Sequence, residues 1–236
     1  GKVVGADVIT ITTATSSGVK GESLIDTVRT MRAMRADAIV MRHSMAGAAY
    51  LAAEHTDAAI INAGDGRHAH PTQALLDLYT IRKHVGDLRG KRVVMVGDIA
   101  HSRVARSDMW GLTALGAEVV VCGPPTLLPR GLRPGDRPSH AESALPPVII
   151  ETEIDRAIEG ADIVMALRLQ SERQQGGLLP SLHEYSQFYQ VTAERLKRAK
   201  PGHLLMHPGP KNEGVEIAAT VASGSSSIIE EQVTNG

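Results

Sequence analysis

The sequence predicts an α/β protein of two doubly wound parallel-sheet domains joined by a buried helix. Three observations carry this. Short β-branched runs alternate with amphipathic segments along the chain. The apolar residues are aliphatic: 42% of the chain is hydrophobic and only 3% aromatic, which suits helices packed on a sheet covered on both faces. The length, 236 residues, fits one large domain or two small ones.

The elements follow in order. ADVITIT (6–12) reads as a strand, Glu22 to Met34 as a helix, ADAIVMR (36–42) as a strand, 46–55 as a helix and AAIINAG (58–64) as a strand. A longer helix is expected from Pro71 to Val85, since Pro71 suits a first helical turn, where a missing N–H costs nothing. Its Leu75, Leu76, Leu78, Tyr79 and Ile81 lie on more than one face, so the helix is expected to be buried between the domains. The turn Gly86-Asp87-Leu88-Arg89-Gly90 divides the chain into domains 1–85 and 86–236, the linking helix belonging to the first. Beyond it come KRVVMVGD (91–98), a helix over 102–115, EVVVCGP (118–124), a helix over 152–159, ADIVMALR (161–168), a helix over 192–199 and HLLMH (203–207). The stretch 124–147 is crowded with prolines and reads as a long surface loop.

Composition narrows the function. Twenty-five Lys and Arg against 26 Asp and Glu leave a formal net charge of −1 without a basic block, so no nucleic acid or membrane is expected as a partner. With so few aromatics, a stacking platform for single strands is not expected either. A single cysteine, Cys122, in an apolar run reads as a buried thiol. It excludes a disulfide framework and a cysteine-based zinc site, and points to the cytoplasm.

In open parallel sheets, ligands bind beyond the carboxyl ends of the strands. The residues there are polar. SSGVKGES offers Ser16, Ser17 and Lys20 around flexible glycines, either an anion site or a capping loop with a solvated lysine. Arg42 ends a strand, where a guanidinium can fork onto a phosphate or carboxylate, or serve a structural salt bridge. In DGRHAHPTQALLDLY, His70 falls at or next to a helix N-cap and Gln73 one turn in, flanking N–H groups that favour negative charge. That place suits a developing oxyanion. Gln73 as a capping-box residue, and His68 with His70 as half of a metal site, are the alternatives, the second lacking a third ligand at suitable spacing. Arg103 starts the helix after VVMVGD, and Arg168 and Gln170 follow ADIVMA, bringing two more arginines to the same edge. Pro208-Gly209-Pro210 follows the last strand, a turn able to hold a cis X-Pro bond. Neither GxGxxG nor a Walker loop is present.

Together SSGVKGES, VMRH, INAGDGRHAHPTQALLDLY, VGDIAHSRVARS, LRLQSER and MHPGPKNEGVEI, in this order, closely resemble the catalytic chains of the aspartate carbamoyltransferase family, from Gly5 to Gly236. Ornithine carbamoyltransferases are the nearest relatives, but usually carry cysteine in the last turn and in the His-Pro-x-Gln motif, where this chain has Gly209 and Thr72. The resemblance implies the carbamoyltransferase fold. It implies transfer of a carbamoyl group from carbamoyl phosphate to the amine of L-aspartate, giving N-carbamoyl-L-aspartate and phosphate in de novo pyrimidine synthesis. By motif, Arg42, His70, Gln73 and the carbonyls of Pro208 and Gly209 would hold carbamoyl phosphate, with Arg42 and His70 acting on its carbonyl oxygen. Arg103, Arg168 and Gln170 would bind aspartate. Ser16 and Lys20 would reach into a neighbouring subunit's site, making the active unit a homotrimer; no cofactor and no metal is implied. A regulatory chain or dihydroorotase is a further partner that the family admits. The family's Ser-Thr-Arg-Thr-Arg phosphate loop and closing apolar helix lie outside the sequence, so the chain is expected to be truncated at both ends and to show little or no activity alone. Two other readings stay open: a carbamoyltransferase with a different amino acceptor, and a non-catalytic homologue acting as an assembly subunit.

Overall fold

The computed structural model describes residues 5–11, 23–129, 145–169 and 181–236. It divides into two compact units, Gly1–Asp65 and Gly66–Gly236.

In the first unit, helix α1 (Leu24–Ala33) starts where the Ser23 side chain accepts from the Asp26 N–H at 3.2 Å, a conventional N-cap. Strands β1 (Ala38–His43) and β2 (Ala59–Asp65) pair in parallel, with Val40 opposite Ile61 and a register shift between Met41 and His43. Helix α2 (Ala48–Ala53) is the crossover between them. Val28, Ile39, Ala52 and Ala58 form the buried core on one face of the pair, whereas Val40 and Ile61 lie exposed on the other. The expected strand over 6–12 is corrected: residues 6–11 are exposed and carry no regular structure. β-propensity alone makes no strand, because the backbone groups need a paired neighbour.

The second unit is a five-stranded parallel sheet in the order β5-β4-β3-β6-β7. Its strands are β3 (Arg92–Val96), β4 (Glu118–Cys122), β5 (Ile149–Glu151), β6 (Ile163–Ala166) and β7 (Leu204–Met206). Side chains alternate between two cores. Val94, Val96, Val120 and Val164 meet α5 (Ile154–Ile158), α7 (Ala193–Leu196) and α8 (Ala219–Ala222) on one face. Val93, Met95, Val121 and Met165 meet α3 (Pro71–Val85) and α4 (Arg103–Ala114) on the other, near the start of α9 (Ile229–Thr234). Burial on both faces is why these strands read as unbroken apolar runs. Cys122 lies buried among them, its thiol pushed up to about 12 by burial.

Two further expectations are corrected. Helix α3 buries Ala74, Asp77, Thr80 and Ile81, but Leu75 and Tyr79 are exposed, so it is apolar on more faces than this chain covers. The proline-rich stretch does not begin on the surface: Leu127 and Leu128 are fully buried, and the Ala100 N–H donates to the Leu127 carbonyl at 2.8 Å. Residues 130–144 of it lie outside the described residues. Helix α6 (Leu182–Tyr189), capped by Ser181, was not expected. Its Tyr185 is buried beside Leu127 and Leu169.

Candidate active site

The strand order of the second unit changes direction between β3 and β6. From β3 the chain builds outward through β4 and β5, then returns to place β6 and β7 on the other side. Connections leave such a switch point in opposite directions and open a crevice at the strand ends. Gly97 makes this opening narrow: it has φ +141°, and a Cβ there would stand 2.7 Å from the Leu167 carbonyl oxygen.

The sequence-predicted arginines flank that crevice. Arg103 is the first residue of α4 after β3, and Arg168 stands two residues beyond the end of β6. Arg103 is buried and Arg168 half-buried. A cation in the first turn of a helix lies at the unfavourable end of the macrodipole, so Arg103 is poorly explained by helix stability. Two guanidiniums on adjacent strand ends suit an anion with two carboxylates. Gln170 lies outside the described residues, as do Ser16 and Lys20.

At the next strand end, β7 runs into Pro208-Gly209-Pro210, where the Gly209-Pro210 bond is cis and Gly209 has φ +60°. His207 organises this turn. Its Nδ1 accepts from the Gly209 N–H at 2.9 Å, and its Nε2 stands 3.1 Å from the Glu216 carboxylate, which also accepts from the Asn212 N–H. With Nδ1 an acceptor, the ring proton is on Nε2 and is given to Glu216.

His70 is the N-cap of α3. Its backbone N–H donates to Ser107 Oγ at 2.8 Å, tying the cap to α4. Its Nδ1 accepts from the Gln73 N–H at 3.3 Å, with Thr72 Oγ1 at 3.2 Å. The ring therefore carries its proton on Nε2, ready to donate. Gln73 does not close a capping box, since its side chain turns along the helix and donates from Nε2 to Asp77 Oδ1 at 3.0 Å. That fixes Oε1 as the end turned away from Asp77, an acceptor for an N–H. Among the described residues, no group of three or more His, Cys, Asp or Glu is placed to hold a metal ion.

In the first unit, Arg42 is exposed near the end of β1. The loop after it is held from within the unit: the Met45 N–H donates to His43 Nδ1 at 3.0 Å, and the Gly47 N–H to Asp65 Oδ2 at 2.7 Å. Asp65 is itself buried and accepts from Asn62 Nδ2 at 3.0 Å.

Sequence reading missed several buried polar residues near these strand and helix ends. Asp98 and His101 form a buried pair, Oδ1 to Nδ1 at 2.7 Å, directly after β3. Their i,i+3 spacing in VGDIAH was a usable signal. So was Asp77, four residues past Gln73 on one helix face. Gln232, which also donates to Asp77, is 155 residues away and gave none.

The family description "Aspartate/ornithine carbamoyltransferase, carbamoyl-P binding domain" matches residues 1–83, and "Asp/Orn binding domain" of the same family matches 89–236. The chain is 55% identical over 236 residues to the aspartate carbamoyltransferase catalytic subunit of Roseiflexus sp. (strain RS-1), covering all of this chain and 72% of that one. It is 56% identical to that of Chloroflexus aggregans, of which it covers 74%. Among solved structures it resembles the aspartate transcarbamoylase of Trypanosoma cruzi in complex with N-(phosphonacetyl)-L-aspartic acid. The TM-score is 0.80 at 30% identity, over 98% of this chain and 72% of that one. The ornithine carbamoyltransferase of Pyrococcus furiosus matches with TM-score 0.73 at 28% identity, over 91% of this chain and 67% of that one.

Proposed function

The chain belongs to the aspartate/ornithine carbamoyltransferase family, and from that premise we propose that it transfers the carbamoyl group of carbamoyl phosphate to L-aspartate. The products are N-carbamoyl-L-aspartate and phosphate, a step of de novo pyrimidine synthesis. The observation that carries the choice of acceptor is the pair Arg103 and Arg168 on adjacent strand ends at the switch point. Two guanidiniums match the two carboxylates of aspartate and would repel the ammonium side chain of ornithine.

The chemistry follows from the charges. Carbamoyl phosphate and aspartate are both anions, and only surrounding cations let the amine approach the carbonyl carbon. A C–N bond forms, the carbonyl oxygen takes negative charge, and the C–O bond to phosphate then breaks while phosphate accepts the amine proton. Arg42 and His70 Nε2–H stabilise that oxyanion, the largest single contribution expected. Gln73 Oε1 accepts from the carbamoyl NH₂, and the carbonyls of Pro208 and Gly209 accept from the amines. Arg103, Arg168 and Gln170 hold aspartate. The division into a carbamoyl phosphate domain, 1–85, and an aspartate domain, 86–236, belongs to this reading. So does a cytoplasmic location.

The direct test is a product assay on the full-length protein with aspartate or ornithine as acceptor. Carbamoyl aspartate is expected at a rate at least tenfold above carbamoyl ornithine. Equal or faster turnover with ornithine rejects the assignment.

Ser16 and Lys20 complete a neighbour's site in a homotrimer. Lys20→Ala and Arg42→Ala trimers are each expected to be nearly inactive, and mixed after dissociation one-to-one to recover activity in about a quarter of the sites, from independent pairing around a closed ring. No recovery in confirmed mixed trimers means that Lys20 acts within its own chain.

A further inference from the structure

Behind Gln73 lies a buried pair of acids that the reaction as described does not use. Asp77 on α3 and Asp108 on α4 are each 1% exposed. Asp77 Oδ1 accepts two side-chain amides at once, from Gln73 at 3.0 Å and from Gln232 of α9 at 2.5 Å. Each amide is thereby fixed in one orientation. Gln73 presents Oε1 away from the acid, and Gln232 presents Oε1 to the backbone N–H of His207 at 3.1 Å, where β7 enters the Pro208-Gly209 turn. One carboxylate oxygen thus sets both an acceptor at the helix cap and the root of the turn.

Asp108 faces the same α3–α4 packing, in which the His70 N–H meets Ser107 and Gly111 lies against Leu78, and it acts on Asp77 electrostatically. Asp77 Oδ2 and both oxygens of Asp108 are buried and meet no donor among the described residues. Two such carboxylates cannot both be ionised, and the proton between them must be one that the pair itself carries. We propose that Asp77 and Asp108 share one proton and act as a positioning pair that holds Gln73, and through Gln232 the 207–210 turn, in the orientation that receives carbamoyl phosphate. This rests on the assignment of Gln73 and the turn carbonyls to that substrate.

Burial raises the Asp77 carboxyl to about 7, and burial beside Asp77 raises Asp108 well above the usual carboxylate range. The other charged groups on the elements packed here are Arg82, Lys83 and His84 of α3, Arg103 and Arg106 of α4, Glu230 and Glu231 of α9, and His207 after β7. Lys83 and His84 are engaged by Glu231 on the surface, and His207 by Glu216. Both acids bind protons in the folded chain at pH values where the unfolded chain has lost them. Stability therefore falls as pH rises from about 4, through about 7 for Asp77 and further for Asp108.

Asp108→Asn separates this pair from ordinary packing, because it preserves shape and gives Asp77 a permanent donor. Its melting temperature is expected to equal that of the parent chain near pH 4 and to exceed it by about 5 °C or more at pH 8.5. Its acid limb of kcat/KM for carbamoyl phosphate should move at least one pH unit lower, because Asp77 then ionises more easily. Asp77→Asn should lose the limb altogether and raise KM for carbamoyl phosphate about tenfold. Melting temperatures that never rise above the parent's, or an acid limb unmoved in Asp108→Asn, overturn the proposal. Full-length protein with no carbamoyl transfer refutes the functional reading instead, and the melting curves still decide whether the proton is shared.

Discussion

His70→Ala is expected to lower turnover roughly 10²–10³-fold while changing carbamoyl phosphate affinity much less. The reason lies in the cap of α3. Gln73 N–H occupies His70 Nδ1, so the ring is held as the Nε2–H tautomer, and Ser107 anchors the cap backbone. A neutral donor aimed at a carbonyl oxygen gains most when that oxygen becomes an anion, which places its contribution in the transition state. Steady-state kinetics decide the matter: kcat and kcat/KM should fall together. A rise in KM at constant kcat would falsify the assignment and leave His70 a simple binding group. His70→Asn, which can still cap the helix, should recover the melting temperature but not the rate, separating the catalytic from the capping role.

Arg168→Ala is expected to reduce kcat/KM for aspartate about 30-fold or more and to leave carbamoyl phosphate binding nearly intact. Truncating a charged hydrogen-bonding partner of a desolvated anion costs about 2–5 kcal/mol, about 30-fold to several thousand-fold in affinity. Arg168 is half-buried at the end of β6, beside the strand that leads to Arg103, and lysine should rescue it poorly because it cannot fork onto a carboxylate. Equilibrium titration of carbamoyl phosphate and kinetics in aspartate test this together. Equal loss toward both ligands would assign the arginine to the phosphate side.

Much of this was legible in the residues. Pro71 and His70 announced the start of α3 because a proline at the first helical position and a polar side chain before it are local devices, and the helix runs over Pro71–Val85 as read. The strands of the second unit were legible because burial on both faces demands consecutive apolar residues. Elements whose signal was not local were lost. Strand β5 is three residues long, and α8 and α9 have four and six, too short to show a period. The stretch 6–11 shows the converse error, a strand-like run without a strand.

By itself the sequence determined the α/β alternation, the arginines at strand ends and the cap that presents His70, because periodicity, capping and strand-end position are properties of neighbours in the chain. The tertiary structure alone decided that β3 and β6 are adjacent and so bring Arg103 and Arg168 to one switch point. It alone decided that Gln73 faces Asp77 rather than its own helix cap, and that Asp77 meets Gln232 across 155 residues. Those outcomes depend on which buried polar groups must find partners once the apolar faces have closed, a condition that acts only on the packed chain.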